Sequence, residues 1–315
     1  MGAEYNGTTD EPRDAAARLR ERLDGARARR SLPLVFDGAL GTELERRGVP
    51  SRLPLWSARA LLADRSAVAA IHRDYVAAGA EALTANTFRT GRRTLAREGL
   101  GARAAELTRL AVALARGAAL AAPRPVFVLG SQAPLEDCYR PDLVPSDAAL
   151  AREHAEHAEA LVAAGVDAIL VETMNAAREA AAAARAARAV GAAFLASFAC
   201  GSGGRLLSGE PLEAGLEAAL RFGPLAVGVN CLPPEAVEAC LPALARSGLP
   251  FFVYPNLGAP DADGGFAPHR HCAPAEFGEL ARGWLGAGAA AAGGCCGTGP
   301  DHVAAVARVC ADARR

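Results

Sequence analysis

The sequence lacks a charge excess, a membrane-length apolar run and a secretory leader. Lys and Arg number 34 against 35 Asp and Glu, for a net charge of −1. That near balance excludes a broad basic surface for nucleic acid and leaves a small molecule as the expected partner. No apolar stretch of about 18 residues is free of charge, glycine breaks or turn signals, so no membrane span is expected. Residues 1 to 30 are polar and Arg-rich with no apolar core of a leader peptide, which points to a cytoplasmic protein. A dinucleotide-binding glycine fingerprint is missing as well. The segment after the first apolar run reads DGALGTELE, which argues against a doubly wound sheet.

What is present is a large apolar fraction, 51% of 315 residues, enough for a sizeable core. From Leu32 onward one unit recurs: an apolar run, a polar or glycine turn, then an Ala/Leu-rich helical stretch. The strand candidates are PLVFD (33–37), ALTANTF (82–88), PVFVLGS (125–131), AILVET (168–173), AFLASF (193–198), LAVGVNC (225–231), PFFVYPN (250–256) and residues 289–296. Near-continuous apolar runs suit parallel strands buried on both faces. Helical patterns fall between them, roughly 66–79, 94–121, 147–164, 175–190, 212–221, 234–247, 274–286 and 300–313, with Ser66 and Ser146 as caps and Pro300 in a first turn. Eight strand–helix units predict a single-domain α/β fold, a (β/α)8 TIM-type barrel over residues 32–315. Residues 1–31 read as a polar N-terminal extension, disordered over 1–12 and helical over 13–30 as a capping helix.

Active sites of such barrels lie at the C-terminal ends of the strands. Here those ends carry Asp37-Gly38, Asn86-Thr87, Gly130-Ser131, Glu172-Thr173, Asn230-Cys231, Tyr254-Pro255-Asn256 and Gly294-Cys295-Cys296. Eight cysteines are present. In a chain without a leader they read as core, metal or redox residues before disulfides. Cys231 closes the sixth strand, and Cys295 and Cys296 close the eighth. Three thiolates on one rim suit a Zn²⁺ ion with its fourth tetrahedral position open, the mark of a catalytic site. Gly293, Gly294 and Gly297 permit the sharp turn that adjacent cysteine ligands require. Two plainer readings stand beside this one. Cysteine is often simply core, and GGCCGTGP ahead of a helix resembles an anion nest. Cys240 and Cys310 fall in helices and read as core, Cys200 as buried or rim, and Cys138 and Cys272 as loop residues. HRHC, with His269 and His271, is a weak imitation of a metal cluster.

At these residues the sequence resembles the zinc-dependent homocysteine S-methyltransferase family. The matching stretches are FDGALGTELERRG (36–48), LTANTF (83–88), VETMNAAREA (171–180), VGVNC (227–231), VYPN (253–256) and GGCCGTGPDH (293–302). The resemblance implies one Zn²⁺ held by Cys231, Cys295 and Cys296. It also implies an amino-acid thiol whose ammonium and carboxylate are held by Asp37 and Glu172 with the backbone near Gly38 and Thr87. Asn230 is a candidate to orient a ligand or touch the substrate. The implied reaction moves a methyl group from a sulfonium donor, S-methylmethionine or S-adenosylmethionine, to homocysteine, giving methionine.

The donor loops depart from the family pattern. Where betaine-using relatives place an aromatic after TF, this chain has Arg89, a poor neighbour for a quaternary ammonium. GSQAPLEDCYRPDLVP (130–145) is less Gly- and Tyr-rich than in S-methylmethionine users, with Tyr139 and Asp142 as the remaining candidates for donor contact. The alternatives are the same zinc–thiolate chemistry on a different thiol or donor, and a non-catalytic barrel binding a phosphate-bearing ligand at GGCCGTGP.

Overall fold

Parallel strands buried on both faces need helices on one side and a filled interior on the other, and the chain supplies both. The computed structural model describes residues 12–261, 265–267 and 272–313. Residues 1–11 of the expected extension, and His269 and His271, lie outside them. Among the described residues ten strands form: β1 (Leu34–Val35), β2 (Ala82–Ala85), β3 (Phe127–Gln132), β4 (Ala168–Met174), β5 (Phe194–Phe198), β6 (Val227–Asn230), β7 (Phe251–Tyr254), β8 (Ala259–Pro260), β9 (Phe266–Ala267) and β10 (Ala291–Ala292). Eight of them make one parallel sheet in the order β1-β10-β7-β6-β5-β4-β3-β2. A parallel bridge from Phe36 to Ala82 joins its two edges. Glu81 N–H bonds Val35 O at 2.8 Å and Asp37 N–H bonds Ala82 O at 3.1 Å across the same seam. The barrel is thereby closed, as the eightfold repeat predicts. Among the described residues no helix is long and apolar enough to cross a membrane.

Three local readings change. The helix expected over 94–121 is interrupted: it runs Arg92–Ala96, then a 3-10 turn at Gly101–Arg103, then Ala104–Leu120. Gly99, with φ +71°, sits in the break, where a left-handed residue stops the first piece. Asp64, not Ser66, caps the helix Arg65–Ala78, accepting Ala67 N–H at 3.0 Å. Ser66 Oγ instead donates to Asp64 at 2.6 Å. Ser146 precedes its helix but makes no side-chain cap bond. The antiparallel ribbon β8–β9 was not legible as a strand pair, because each strand is only two residues long.

The N-terminal helix, Pro12–Arg27, belongs to the barrel's interior packing. Leu19 and Leu23 are fully buried in one cluster with Leu34, Phe36, Phe127, Leu129 and Phe252. Arg22 fastens the helix to the end where strands begin, pairing with Glu81 at 2.8 Å and donating to Leu32 O at 2.9 Å. It thus plugs the end opposite the strands' C-termini. Leu23→Ala should cost about 2–5 kcal/mol in urea unfolding, with an unchanged slope. A loss below about 0.5 kcal/mol would show a dispensable appendage.

Candidate active site

The C-terminal strand ends surround a cavity of about 1080 Å³, including the space at its open mouth. Asp37, Gly38, Glu172, Cys231, Cys295 and Cys296 all line it. Strands contribute alternate side chains to the interior, so consecutive residues cannot all face the mouth. Thr87 and Asn230 do not line the cavity, and each is fully buried. Thr87 N–H donates to Ala85 O at 2.6 Å and its hydroxyl to Ser131 O at 2.9 Å. Asn230 braces the end of β4: its Oδ1 accepts Thr173 N–H at 2.9 Å and its Nδ2 donates to Thr173 Oγ1 at 2.7 Å. Thr173 needs that bracing, since a β-branched residue at φ +60° is strained.

Cys231 follows β6 in the left-handed region too, at φ +53°. The turn carries its sulfur off the strand direction and onto the rim. The Cys295-Cys296 turn is fixed by backbone bonds. Cys295 N–H reaches Pro255 O at 2.8 Å, Leu257 N–H reaches Cys296 O at 2.8 Å, and Thr298 Oγ1 donates to Cys295 O at 2.7 Å. Gly297, at φ +88°, closes the turn and donates its N–H to Thr42 Oγ1 at 2.9 Å. The three thiols converge, with Cys231 Sγ and Cys295 Sγ 2.7 Å apart.

This donor set suits a soft, tetrahedral divalent ion. Among the described residues no three His, Cys, Asp or Glu side chains form a ready-made metal cage. The sulfurs instead touch. All three thiols are held well above the ordinary cysteine range. Cys231 is raised chiefly by its contact with Cys295, and Cys296 chiefly by its contact with Cys231. Cys295, which its bond to Cys231 favours as the thiolate, is raised in net by Cys296 and burial. Packed neutral thiols need a cation to become thiolates together.

The carboxylates stand opposite in character. Asp37, 6% exposed, accepts Thr84 N–H at 2.7 Å and the Thr84 hydroxyl at 3.1 Å. Glu172, 5% exposed, accepts the hydroxyls of Ser131 and, at 3.0 Å, of Tyr254. Burial, against these hydrogen bonds, pushes Asp37 up to about 8 and Glu172 up to about 7. Among the described residues neither acid has a cationic partner, so both are poised for a ligand's positive charge.

Reading the sequence missed Thr84, Ser131 and Tyr254 as partners of the acids, although all three stand on strands within or beside the polar ends already named. It also set Cys138 aside as a loop residue. Cys138 lines the cavity, is pushed up to about 12 by burial, and lies near enough to raise the Cys231 and Cys296 thiols. Tyr139 lines the cavity too, its hydroxyl donating to Cys231 O at 3.4 Å and accepting Asn256 Nδ2 at 3.2 Å. Asp142 does not line it; it pairs with Arg140 at 2.6 Å on the surface.

Comparison with known proteins matches the homocysteine S-methyltransferase family model over residues 34–310. The chain belongs to the homocysteine S-methyltransferase family. It is 34% identical to the homocysteine S-methyltransferase of Escherichia coli, covering 87% of this chain and 94% of that one. It is 29% identical to the homocysteine S-methyltransferase YbgG of Bacillus subtilis, covering 87% and 93%. The crystal structure of the E. coli homocysteine methyltransferase MmuM in its metallated form superimposes with a TM-score of 0.77 at 31% identity, covering 92% of this chain and 99% of that one.

In this family member the two acids make a testable signature. The folded, ligand-free site keeps protons on Asp37 and Glu172 that the unfolded chain has released. Their contribution to stability is therefore full at low pH and is lost as pH rises from about 4 to about 8. Asn at position 37 can accept Thr84 N–H through Oδ1, can donate its Nδ2 to the Thr84 hydroxyl, and carries no charge. The melting temperature of Asp37→Asn relative to wild type should rise between pH 5 and pH 8.5; a difference that stays flat would place the ionised acid at no cost.

Proposed function

We propose that the chain transfers a methyl group from a sulfonium-type donor, S-methylmethionine or S-adenosylmethionine, to the thiol of homocysteine, giving methionine. The observation that carries this reading is one cavity holding three thiols from two strand ends and, from two others, two acids without a cationic partner among the described residues. A thiol amino acid presents the complements of both, a sulfur and an ammonium. Family membership and the shared architecture support the same reading.

Cys231, Cys295 and Cys296 are the proposed Zn²⁺ ligands, and the bound ion would keep the acceptor sulfur as a thiolate at neutral pH. Asp37 and Glu172 take the ammonium. Once it is bound, the charge that burial opposes is compensated and both acids ionise. Ser131, Tyr254 and Thr84 aim those acids, and Asn230 positions the Glu172–Thr173 segment. Gly38 contributes backbone to the amino-acid end. Thr87 N–H is already committed to Ala85 O, so its share in that role is structural support.

The transfer itself asks little acid–base help of the protein. The acceptor thiol releases its proton to solvent on forming the thiolate. The new S–CH₃ bond forms as the sulfonium S–CH₃ bond breaks, and the donor sulfur keeps that electron pair and leaves as a neutral thioether. Rate then depends on holding two sulfurs and one carbon in line, and on excluding water from the cavity. Reduced thiols on an open rim suit a cytoplasmic setting.

The test offers homocysteine with each sulfonium donor in separate reactions, and methionine is read by mass spectrometry. Methionine from one of the donors is expected; none from either, at full zinc loading, would contradict the reading. Cys231→Ser and Cys295→Ser should each lower zinc below about one per chain and remove turnover together. Zinc retained in full by either variant would overturn the ligand assignment, and turnover that survives zinc loss would overturn the zinc-dependent chemistry. Glu172→Gln should raise the KM for homocysteine about tenfold to a hundredfold, as expected for losing a charge-assisted bond.

A further inference from the structure

Arg89 stands in the turn after β2, lines the cavity and is only 5% exposed. Its Nη1 donates to the backbone oxygen of Glu136 at 2.9 Å, and its guanidinium carbon lies 5.2 Å from the Phe88 ring centre. Its Nε is buried with no hydrogen-bond partner. The neighbouring acid is engaged elsewhere: Glu136 pairs with Arg93 at 3.1 Å and with Arg97. Among the described residues no carboxylate stands within ion-pairing distance of Arg89. A buried guanidinium with neither a counter-charge nor a full set of acceptors is costly. Such a group persists in a cavity wall when a ligand supplies what is missing.

The same cavity also holds Asp37 and Glu172, acids without a cation. Two acids without a counter-cation and one guanidinium without a counter-anion in one chamber complement a zwitterion. Thr87 cannot serve the anionic end, because its N–H and hydroxyl already donate to Ala85 O and Ser131 O. We propose that Arg89 binds the α-carboxylate of an amino-acid substrate in this cavity, and so selects amino acids over amines of the same length. The planar fork of N–H donors matches a carboxylate better than a lysine ammonium does. The proposal rests on the amino-acid methyl-transfer reading. Both the acceptor and a sulfonium amino-acid donor carry this carboxylate, and the experiment distinguishes them.

Titration calorimetry on zinc-loaded wild type, Arg89→Met and Arg89→Lys would use four probes. These are homocysteine, S-methylmethionine, and their decarboxylated counterparts 3-mercaptopropylamine and dimethyl(3-aminopropyl)sulfonium. Wild type should bind one acid about tenfold to a hundredfold more tightly than its decarboxylated counterpart. Arg89→Met should lose that preference while binding the decarboxylated probe as before, and Arg89→Lys should retain part of it. The acid whose preference vanishes identifies the substrate held. The melting temperature of ligand-free Arg89→Met should be unchanged or higher, since an unpaired buried charge is removed. Equal weakening of all four probes, or a preserved preference in Arg89→Met, would overturn the proposal, as would wild type that binds neither acid. If wild type methylates homocysteine while the variant keeps its preference, only this proposal falls. If wild type shows the Arg89-dependent preference but makes no methionine, the methyl-transfer reading falls instead.

Discussion

Three cysteine sulfurs brought to one point are the constraint on which the site depends. In the sheet β7 lies between β6 and β10, so Cys231 and Cys295 reach across one strand to meet. That reach requires a closed barrel, a left-handed residue at Cys231 and a glycine-bounded turn after Cys296. Each is locally unfavourable or sequence-demanding. Together they hold sulfurs that repel one another once ionised, and the proposed divalent cation would make the arrangement favourable.

The rest of the cavity follows the same economy of unmatched charge. Acids without a cation and a guanidinium without an anion share a chamber whose burial magnifies each mismatch. The free protein answers by protonating Asp37 and Glu172. In the proposed complex a zwitterionic ligand would remove the mismatches at both ends, and binding of the amino acid would be coupled to the charge state of the site. Stability of the barrel comes from elsewhere, through apolar layers and the plug of Leu19 and Leu23 at the opposite end.

Much of this was legible in the sequence. The eight apolar runs were readable because strands buried on both faces are nearly uniform in hydropathy, and the polar residues closing them marked the mouth. Asp37, Glu172 and the three cysteines stood out because each ends a strand. Thr84, Ser131 and Tyr254 did not, since a strand-end hydroxyl looks the same whether it braces an acid or packs in the core. Thr87 and Asn230 looked like lining residues, yet Thr87 lies beyond the end of β2 with its hydroxyl on Ser131 O, and Asn230, in register with Tyr254, is covered by its bonds to Thr173 and Ser197. Cys138 lies in a loop, and no periodicity indicates that the loop folds back over the rim. The broken helix at Arg97–Arg103 was hidden by the alanine-rich pattern on either side.

The central claim is that Cys231, Cys295 and Cys296 together hold one metal ion that the amino-acid thiol then completes. X-ray absorption at the zinc edge, on the zinc-loaded protein with and without homocysteine, counts the sulfurs directly. Three sulfur neighbours rising to four on adding the thiol, with distances near 2.3 Å, is the expected result. Fewer than three sulfurs in the free protein, or no added sulfur with homocysteine bound, would contradict it.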